Sequence, residues 1–380
     1  MVSGDADASS VGSAAAVTTA DVARASDREV VAHRSAPDDL AVLAYTSGTT
    51  GSPKGVMLSY ANLASNVDHM LAACAFSRED VTLGAAPFTR LGGLGVTVLE
   101  ALCVGGAVVI PTSLEADDVL STIERERVSV LFANPDLLAA MVAAPTWSAA
   151  DLSSVRTGVV GGGLVPEDLL RRYLDRDVPL RHGYGLTEAA PVVTLLGEAD
   201  AVSRSRSVGR AIGAVEVRAV RADGAACPPS EVGELVIRGP NVTAGYWRRP
   251  DATAEATLPD GWFRTGDAGS IDADGYVTLF GRVADAIDLP DGLVYPEEIE
   301  AWLYAAPGIA DCAAVGIAGT LVLAVVPTSG VDVGAETVRR LLEPHVPSWK
   351  LPASVRPVEA IPRNAAGKIL RDRLVDLLGG

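Results

Sequence analysis

Short apolar segments alternate with amphipathic helical stretches through the first half of the chain, and this alternation limits the possible folds more than any other feature. A helical pattern over residues 117–128 precedes the apolar run 129–134, and another over residues 166–176 precedes the apolar run 178–185. Short buried strands joined by helices are typical of a parallel sheet covered on both faces. The sequence therefore predicts an α/β fold.

The pattern changes after residue 205. Residues 215–220, 233–239 and 275–282 are alternating or apolar segments, and Gly, Pro and Asp separate them with few helical stretches between. Such spacing predicts a smaller β-rich subdomain within the same large domain.

Helical patterns return near the C-terminal end, over residues 296–305 and 335–346, with strand-like segments around them. They predict a small α+β domain. We therefore expect a flexible segment at residues 1–38, a large domain at residues 39–281 and a small mobile domain at residues 282–380.

Composition and charge exclude several classes of protein. The formal net charge is −17, which disfavours contact with the phosphates of a nucleic acid. No apolar run reaches the ~18 residues of a membrane span, so we expect no transmembrane segment. The N-terminus does not resemble a signal peptide and the four cysteines share no C-x-x-C spacing. Both features favour a cytoplasmic protein.

A loop rich in hydroxyl groups follows the apolar segment 41–45. It reads T-S-G-T-T-G-S-P-K-G over residues 46–55. Glycines let a backbone approach phosphate closely, hydroxyl and N–H groups donate hydrogen bonds, and a lysine adds positive charge. The spacing is not that of a Walker loop. By itself the loop indicates either a phosphate site or a polar surface turn.

The full ten-residue string resembles the phosphate-loop signature of the adenylate-forming superfamily. That superfamily includes acyl-CoA synthetases, luciferases and the adenylation domains of peptide synthetases. The resemblance covers residues 40–375 and implies a chain shortened at its front. It also implies that the phosphates of ATP are held by Thr46, Ser47, Gly48, Thr49, Thr50 and Lys54.

Further strings occur in the order that this superfamily uses. Residues 183–188 read G-Y-G-L-T-E, which resembles a motif whose tyrosine (Tyr184) packs on adenine. By the same resemblance Thr187 contacts phosphate and Glu188 binds Mg²⁺. Gly162 and Gly163 lie in a small-residue segment that lines the nucleotide and acyl pockets.

Three motifs complete the implied site. Asp267, in W-F-R-T-G-D, receives the ribose hydroxyls; Arg282 lies near the ribose; and Asp285 is the hinge on which the C-terminal domain rotates. Residues 362–371 resemble the C-terminal lysine loop. In that loop Lys368 stabilises the charge that develops between the carboxylate and the α-phosphate.

The hinge segment departs from the acyl-CoA members of the superfamily. Val283 and Ala284 stand where those members have lysines, and Leu289, Pro290 and Asp291 replace a Ser-Gly-Gly string. Proline fixes φ and removes a donor, and the aspartate adds negative charge. We therefore expect intact adenylation and an altered acceptor face.

The resemblance implies a ligase that joins a carboxylic acid to a thiol through an acyl-adenylate, using ATP and Mg²⁺. The acceptor is coenzyme A or phosphopantetheine. Two alternatives remain. One is an adenylating enzyme whose acceptor is an acyl carrier protein or an amine. The other is a degenerate nucleotide-binding protein that regulates or scaffolds a full-length relative, although an inactive site has no chemical need for Glu188 and Lys368.

Overall fold

A computed structural model describes residues 34–46, 53–163, 165–304, 306–328, 330–331, 333–363 and 369–379. By its internal contacts the chain divides into two compact units, Met1–Asp39 and Leu40–Gly380. Every helix and strand of the described residues lies in the second unit. The flexible segment expected at residues 1–38 falls outside the described residues, apart from its last five.

The second unit begins with an antiparallel hairpin of β1 (Leu40–Thr46) and β2 (Lys54–Ser59). Thr46 ends β1 and Lys54 begins β2, and the two residues are register partners. The two ends of the connecting loop are therefore one strand spacing apart, about 5 Å. The predicted phosphate loop is the connection between them. The apolar segment 41–45 lies within β1, whereas no pattern in the sequence predicted the returning strand β2.

The largest sheet has seven strands. They are β3 (Val81–Leu83), β4 (Ala107–Val109), β5 (Val130–Ala133), β6 (Thr157–Val160), β7 (Leu180–Gly185), β8 (Val192–Leu195) and β9 (Arg210–Ala211). Their order is β4-β3-β5-β6-β7-β8-β9. The first five in that order pair in parallel, and β8 and β9 continue the sheet in antiparallel pairing. The predicted parallel sheet is confirmed.

Helices cover both faces of this sheet. They are α1 (Tyr60–Cys74), α2 (Leu91–Gly95), α3 (Val98–Val104), α4 (Ala116–Glu126), α5 (Pro135–Ala143) and α6 (Glu167–Leu174). Successive residues of β6 enter different cores because side chains alternate along a strand. Val160 packs with Ile123 and Leu138 of α4 and α5, whereas Val159 packs with Met70 of α1.

The β-rich subdomain that the sequence predicted is a four-stranded antiparallel sheet. Its strands, in sheet order, are β10 (Glu216–Val220), β11 (Gly233–Arg238), β12 (Phe263–Ile271) and β13 (Val277–Arg282). Helix α7 (Pro250–Ala256) lies between β11 and β12 in the chain. Asp267 and Arg282 are register partners on β12 and β13, which places two predicted site residues side by side.

The C-terminal part has α+β structure. A hairpin of β14 (Ile287–Leu289) and β15 (Gly292–Val294) precedes a sheet of order β16-β17-β18. The remaining elements are α8 (Pro296–Glu300), β16 (Ile309–Ile317), β17 (Thr320–Pro327), α9 (Ala335–Leu342), β18 (Ser354–Pro357) and α10 (Arg371–Leu377). Among the described residues, no helix is long and apolar enough to cross a membrane.

One aromatic stack joins the C-terminal part to the preceding part of the chain. The guanidinium carbon of Arg206 lies 3.3 Å from the ring centroid of Trp302, and the His345 ring stacks on Trp302 with centroids 3.4 Å apart and planes 7° apart. Two groups this close to one centroid must lie on opposite faces of the ring. Trp302 is therefore sandwiched between Arg206 and His345.

Candidate active site

The site lies where two neighbouring parallel strands end. Gly161, Gly162 and Gly163 follow β6, and the segment from Gly183 to Glu188 ends β7 and continues beyond it. A Cβ on Gly161 would lie 2.9 Å from the Gly183 carbonyl oxygen, and Gly162 has φ +85°. The glycines therefore allow the two segments to approach closely. The carboxyl ends of parallel strands are where open α/β sheets bind ligands.

Three predicted nucleoside residues form one hydrogen-bonded group. The Tyr184 hydroxyl donates to Oδ2 of Asp267 at 2.7 Å, and Nη1 of Arg282 donates to Oδ1 at 2.6 Å. Burial, followed by the charge of Asp267, raises the pKa of Tyr184 well above its ordinary value, so its hydroxyl remains a donor.

Asp267 keeps capacity to accept further hydrogen bonds. Each of its oxygens takes one donor from the protein, and each oxygen of a carboxylate has two acceptor positions. Its side chain is 15% exposed. The arrangement can therefore receive a pair of hydroxyl groups such as those of a ribose.

Glu188 lies in a short 3₁₀ turn, Thr187–Ala189, directly after β7, and it is largely buried. Its Oε1 accepts a 2.8 Å hydrogen bond from the Tyr246 hydroxyl. Thr187, at the start of the turn, is half-buried. Lys54, the first residue of β2, places its ammonium 5.1 Å from the centroid of the Tyr246 ring.

These residues fit a magnesium ion that is held mainly by nucleotide phosphates. Within the described ranges there is no cluster of three His, Cys, Asp or Glu side chains that would enclose a metal. Glu188 is a single carboxylate with Oε2 left over after Tyr246 has bonded Oε1. Mg²⁺ is commonly bound by one or two carboxylates together with substrate phosphates and water.

Several predicted residues cannot be placed. Ser47, Gly48, Thr49, Thr50 and Lys368 lie outside the described residues. Their roles in binding phosphate and in catalysis remain predictions. The described flanks are compatible with those roles, since Thr46 and Lys54 hold the two ends of the loop together.

The predicted hinge residue Asp285 ends a 3₁₀ turn, Val283–Asp285, between β13 and β14. Pro290 and Asp291 form the exposed two-residue tip of the β14–β15 hairpin. Gly292 follows with φ +138°. The departures in the hinge therefore build an ordinary hairpin turn.

Two site residues were not found from the sequence. Tyr246 lies 58 positions from Glu188 in the chain, and no local pattern links them. Phe132 lies on β5 and was interpreted as part of a buried strand. In the structure it is only partly buried, and its ring lies 3.7 Å from a Cβ built on Gly92 and 3.9 Å from one built on Gly161.

The Phe132 ring lies within van der Waals reach of the positions that side chains on Gly92 and Gly161 would occupy. Gly92 is half-buried near the start of α2, and Gly161 begins the glycine run after β6. Neither glycine places a side chain against the ring. Arg90, directly before α2, is exposed and its side chain makes no capping hydrogen bond to the helix.

The acceptor group at Asp267, the β1–β2 hairpin and the single carboxylate of Glu188 form the arrangement expected of an ATP-using enzyme of the adenylate-forming class. The sequence profile of the family described as "AMP-binding enzyme" matches residues 3–247. The profile described as "AMP-binding enzyme C-terminal domain" matches residues 298–368. The chain belongs to the AMP-binding enzyme family.

Similar proteins agree with this assignment. The chain is 40% identical over 341 residues to a feruloyl-CoA synthase of Amycolatopsis sp, covering 88% of this chain and 69% of that relative. It is 39% identical to an indoleacetate–CoA ligase of Aromatoleum aromaticum, covering 90% of this chain and 68% of that relative.

A solved structure supports the same fold. An O-succinylbenzoate coenzyme A synthetase from Bacillus subtilis, in complex with ATP and a magnesium ion, superimposes with a TM-score of 0.82 at 29% identity, covering 89% of this chain and 70% of that one. The chain is therefore an AMP-forming acid–thiol ligase of the acyl-CoA synthetase kind. It activates a carboxylic acid as an acyl-adenylate and transfers the acyl group to a thiol.

Proposed function

We propose that the activated acid is aromatic and that the acceptor thiol belongs to coenzyme A. The observation that supports this most directly is the partly buried ring of Phe132 between Gly92 and Gly161. An aromatic acid that reaches this part of the site would meet the edge of the Phe132 ring with no side chain of Gly92 or Gly161 in between. Two relatives are named for acids that carry an aromatic ring, ferulate and indoleacetate.

The first half-reaction forms the adenylate. A carboxylate oxygen of the acid bonds to the α-phosphorus of ATP, and the bond from that phosphorus to the bridging oxygen breaks to release pyrophosphate. Asp267 and Arg282 hold the ribose, and Tyr184 lies against the base together with Gly162 and Gly163.

The phosphates and the reacting carboxylate require positive charge. Thr46, Lys54 and the loop between them hold the phosphates, with Thr187 beside them. A magnesium ion at Glu188 neutralises phosphate charge when bound. Lys368 stabilises the charge of the transition state. In the second half-reaction, the thiolate sulfur bonds to the acyl carbon and AMP leaves.

A panel of acids tests the substrate class. Pyrophosphate release should be faster with ferulate and indoleacetate than with straight-chain fatty acids of similar carbon number. Phe132→Leu should raise the KM for aromatic acids by about 2- to 12-fold, because a ring–ring contact contributes ~0.5–1.5 kcal/mol beyond the buried area. Phe76→Leu is a matched control, since Phe76 packs against the same apolar cluster. A preference for fatty acids, or equal effects of both variants, would contradict the proposal.

An acceptor other than coenzyme A is the second candidate. Exposed Pro290 and Asp291 at the hairpin tip, together with exposed Val283 and Ala284, favour it because they offer no cation to the phosphates of coenzyme A. The rate of AMP release should be measured with three acceptors in turn: coenzyme A, a phosphopantetheine-loaded carrier protein and a primary amine. Acceleration by the carrier protein or the amine alone would support this alternative.

A further inference from the structure

Tyr246 connects two parts of the site that are distant in the chain. Its hydroxyl donates to Oε1 of Glu188 at 2.8 Å, and its ring lies under the ammonium of Lys54 at 5.1 Å. One side chain therefore contacts both the turn that carries Glu188 and the hairpin that carries Lys54.

The backbone around Tyr246 is held to both partners. Tyr246 forms a β-bridge with Val56, and the Trp247 N–H donates to the Gly55 carbonyl at 2.8 Å. On the other side, the Thr243 N–H donates to the carbonyl oxygen of Glu188 at 2.8 Å. The segment 243–247 thus fixes the phosphate hairpin relative to the turn that carries Glu188.

Contacts on two sides hold Tyr246 in place. The backbone N–H of Tyr246 donates to Oγ1 of Thr253 at 2.9 Å, and the Tyr246 ring packs against Phe263 with centroids 6.2 Å apart. Tyr246 is 8% exposed. A hydrogen bond from a side chain held this firmly restricts how the Glu188 carboxylate can rotate.

We propose that Tyr246 is a positioning residue: it occupies Oε1 of Glu188 and so directs Oε2 towards the metal. Its ring also keeps the Lys54 ammonium at a fixed distance from Glu188. This inference rests on the proposed use of a magnesium–nucleotide complex. Since the metal is held by one protein carboxylate, the orientation of that carboxylate has no second ligand to support it. The two parts of Tyr246 can be tested separately, because the ring acts on Lys54 and the hydroxyl acts on Glu188.

Tyr246→Phe removes only the hydroxyl. ATP binding should be measured by calorimetry with magnesium and, separately, with a chelator, in the absence of any acid. We expect the variant to lose about tenfold in affinity with magnesium and to stay near wild type in chelator. The magnesium concentration that half-saturates pyrophosphate release should rise by a similar factor. Thioester formation from preformed acyl-adenylate should not change.

Tyr246→Leu also removes the ring from beneath Lys54. We expect it to weaken ATP binding in chelator by about threefold, which is the effect of losing an exposed cation–π contact. Tyr276→Phe is the matched control. It removes a comparable bond, from a tyrosine hydroxyl to Oδ2 of Asp200 at 2.7 Å, away from the site, and it should leave both affinities unchanged.

A double-variant comparison makes the inference independent of folding defects. In a Glu188→Gln background, Tyr246→Phe should cause no further loss of magnesium-dependent affinity. Equal losses in magnesium and in chelator, or full additivity with Glu188→Gln, would overturn the role of Tyr246. If magnesium does not raise the ATP affinity of the wild-type protein, the proposed metal site and the role of Tyr246 are both wrong. If magnesium raises the ATP affinity of wild type and of Tyr246→Phe equally, only the role of Tyr246 is wrong.

Discussion

Glu100 has no exposed surface, although its side chain can carry a charge. It lies on α3, where Oε1 accepts a 3.1 Å hydrogen bond from Nδ2 of Asn66 and Oε2 has no partner in the described structure. Burial raises the pKa of Glu100 from its ordinary value of 4.5 to about 8. The folded protein therefore holds a proton at neutral pH that the unfolded chain has lost.

In this pH range the folded state binds a proton that the unfolded chain does not. The free energy of unfolding therefore falls as the pH rises from the pKa of the unfolded chain to the pKa of the folded protein. Between pH 7 and pH 8 the proton on Glu100 makes the largest contribution to this fall, and Glu297 adds a smaller one. Burial, and then the charge of Glu300, raise the pKa of Glu297 only to about 7. Burial lowers the pKa of His182 to about 4, so its effect ends near pH 6.5. The free energy of unfolding should fall by about 1 kcal/mol from pH 7 to pH 8.

Glu100→Gln should remove the part of this fall that comes from Glu100, about 1 kcal/mol, because glutamine keeps the acceptor for Asn66 and cannot ionise. Urea unfolding at pH 7 and pH 8 measures the difference. The gain in stability of the variant over wild type should be about 1 kcal/mol larger at pH 8. Glu255→Gln, at an exposed glutamate, is the control and should leave the fall intact. If wild type and Glu100→Gln change in parallel between the two pH values, the reasoning is wrong.

Three further predictions concern the reaction. Lys368→Ala should remove nearly all acid-dependent pyrophosphate exchange while ATP binding stays within a few-fold, because its charge is needed in the transition state; wild-type exchange would refute the assignment. Glu188→Gln should raise the magnesium requirement, and activity that survives chelation would exclude that role. Replacing Leu289, Pro290 and Asp291 by Ser, Gly and Gly should speed thioester formation relative to adenylation in single-turnover measurements; no gain would show that the hairpin tip is neutral.

The sequence predicted the parts of the site that lie within short motifs. Asp267 and Arg282 were each predicted from local strings, and the structure places them side by side as register partners on β12 and β13. The parallel sheet was also predictable, since burial on both faces leaves a continuous apolar signature.

Contacts between distant segments could not be predicted in this way. Phe132 has the same local pattern as any core residue, and its position near Gly92 and Gly161 depends on segments that are distant in the chain. Tyr246 follows a glycine in a loop and reaches Glu188 through the fold alone. The hinge departures at Pro290 and Asp291 were interpreted against a family pattern. Their local chemistry, proline and aspartate before a glycine with positive φ, is that of a hairpin turn.

The sandwich of Trp302 between Arg206 and His345 gives the resting enzyme a preferred orientation of its two parts. Any rotation about Asp285 that moves Trp302 away from Arg206 must break a cation–π contact, at a cost of about 0.5–2 kcal/mol. By itself this contact would favour the stacked arrangement by roughly 2- to 30-fold. Substrate binding energy of that size would be enough to reverse the preference. The stack would therefore stabilise one domain orientation only weakly, and ligand binding could shift the population to another.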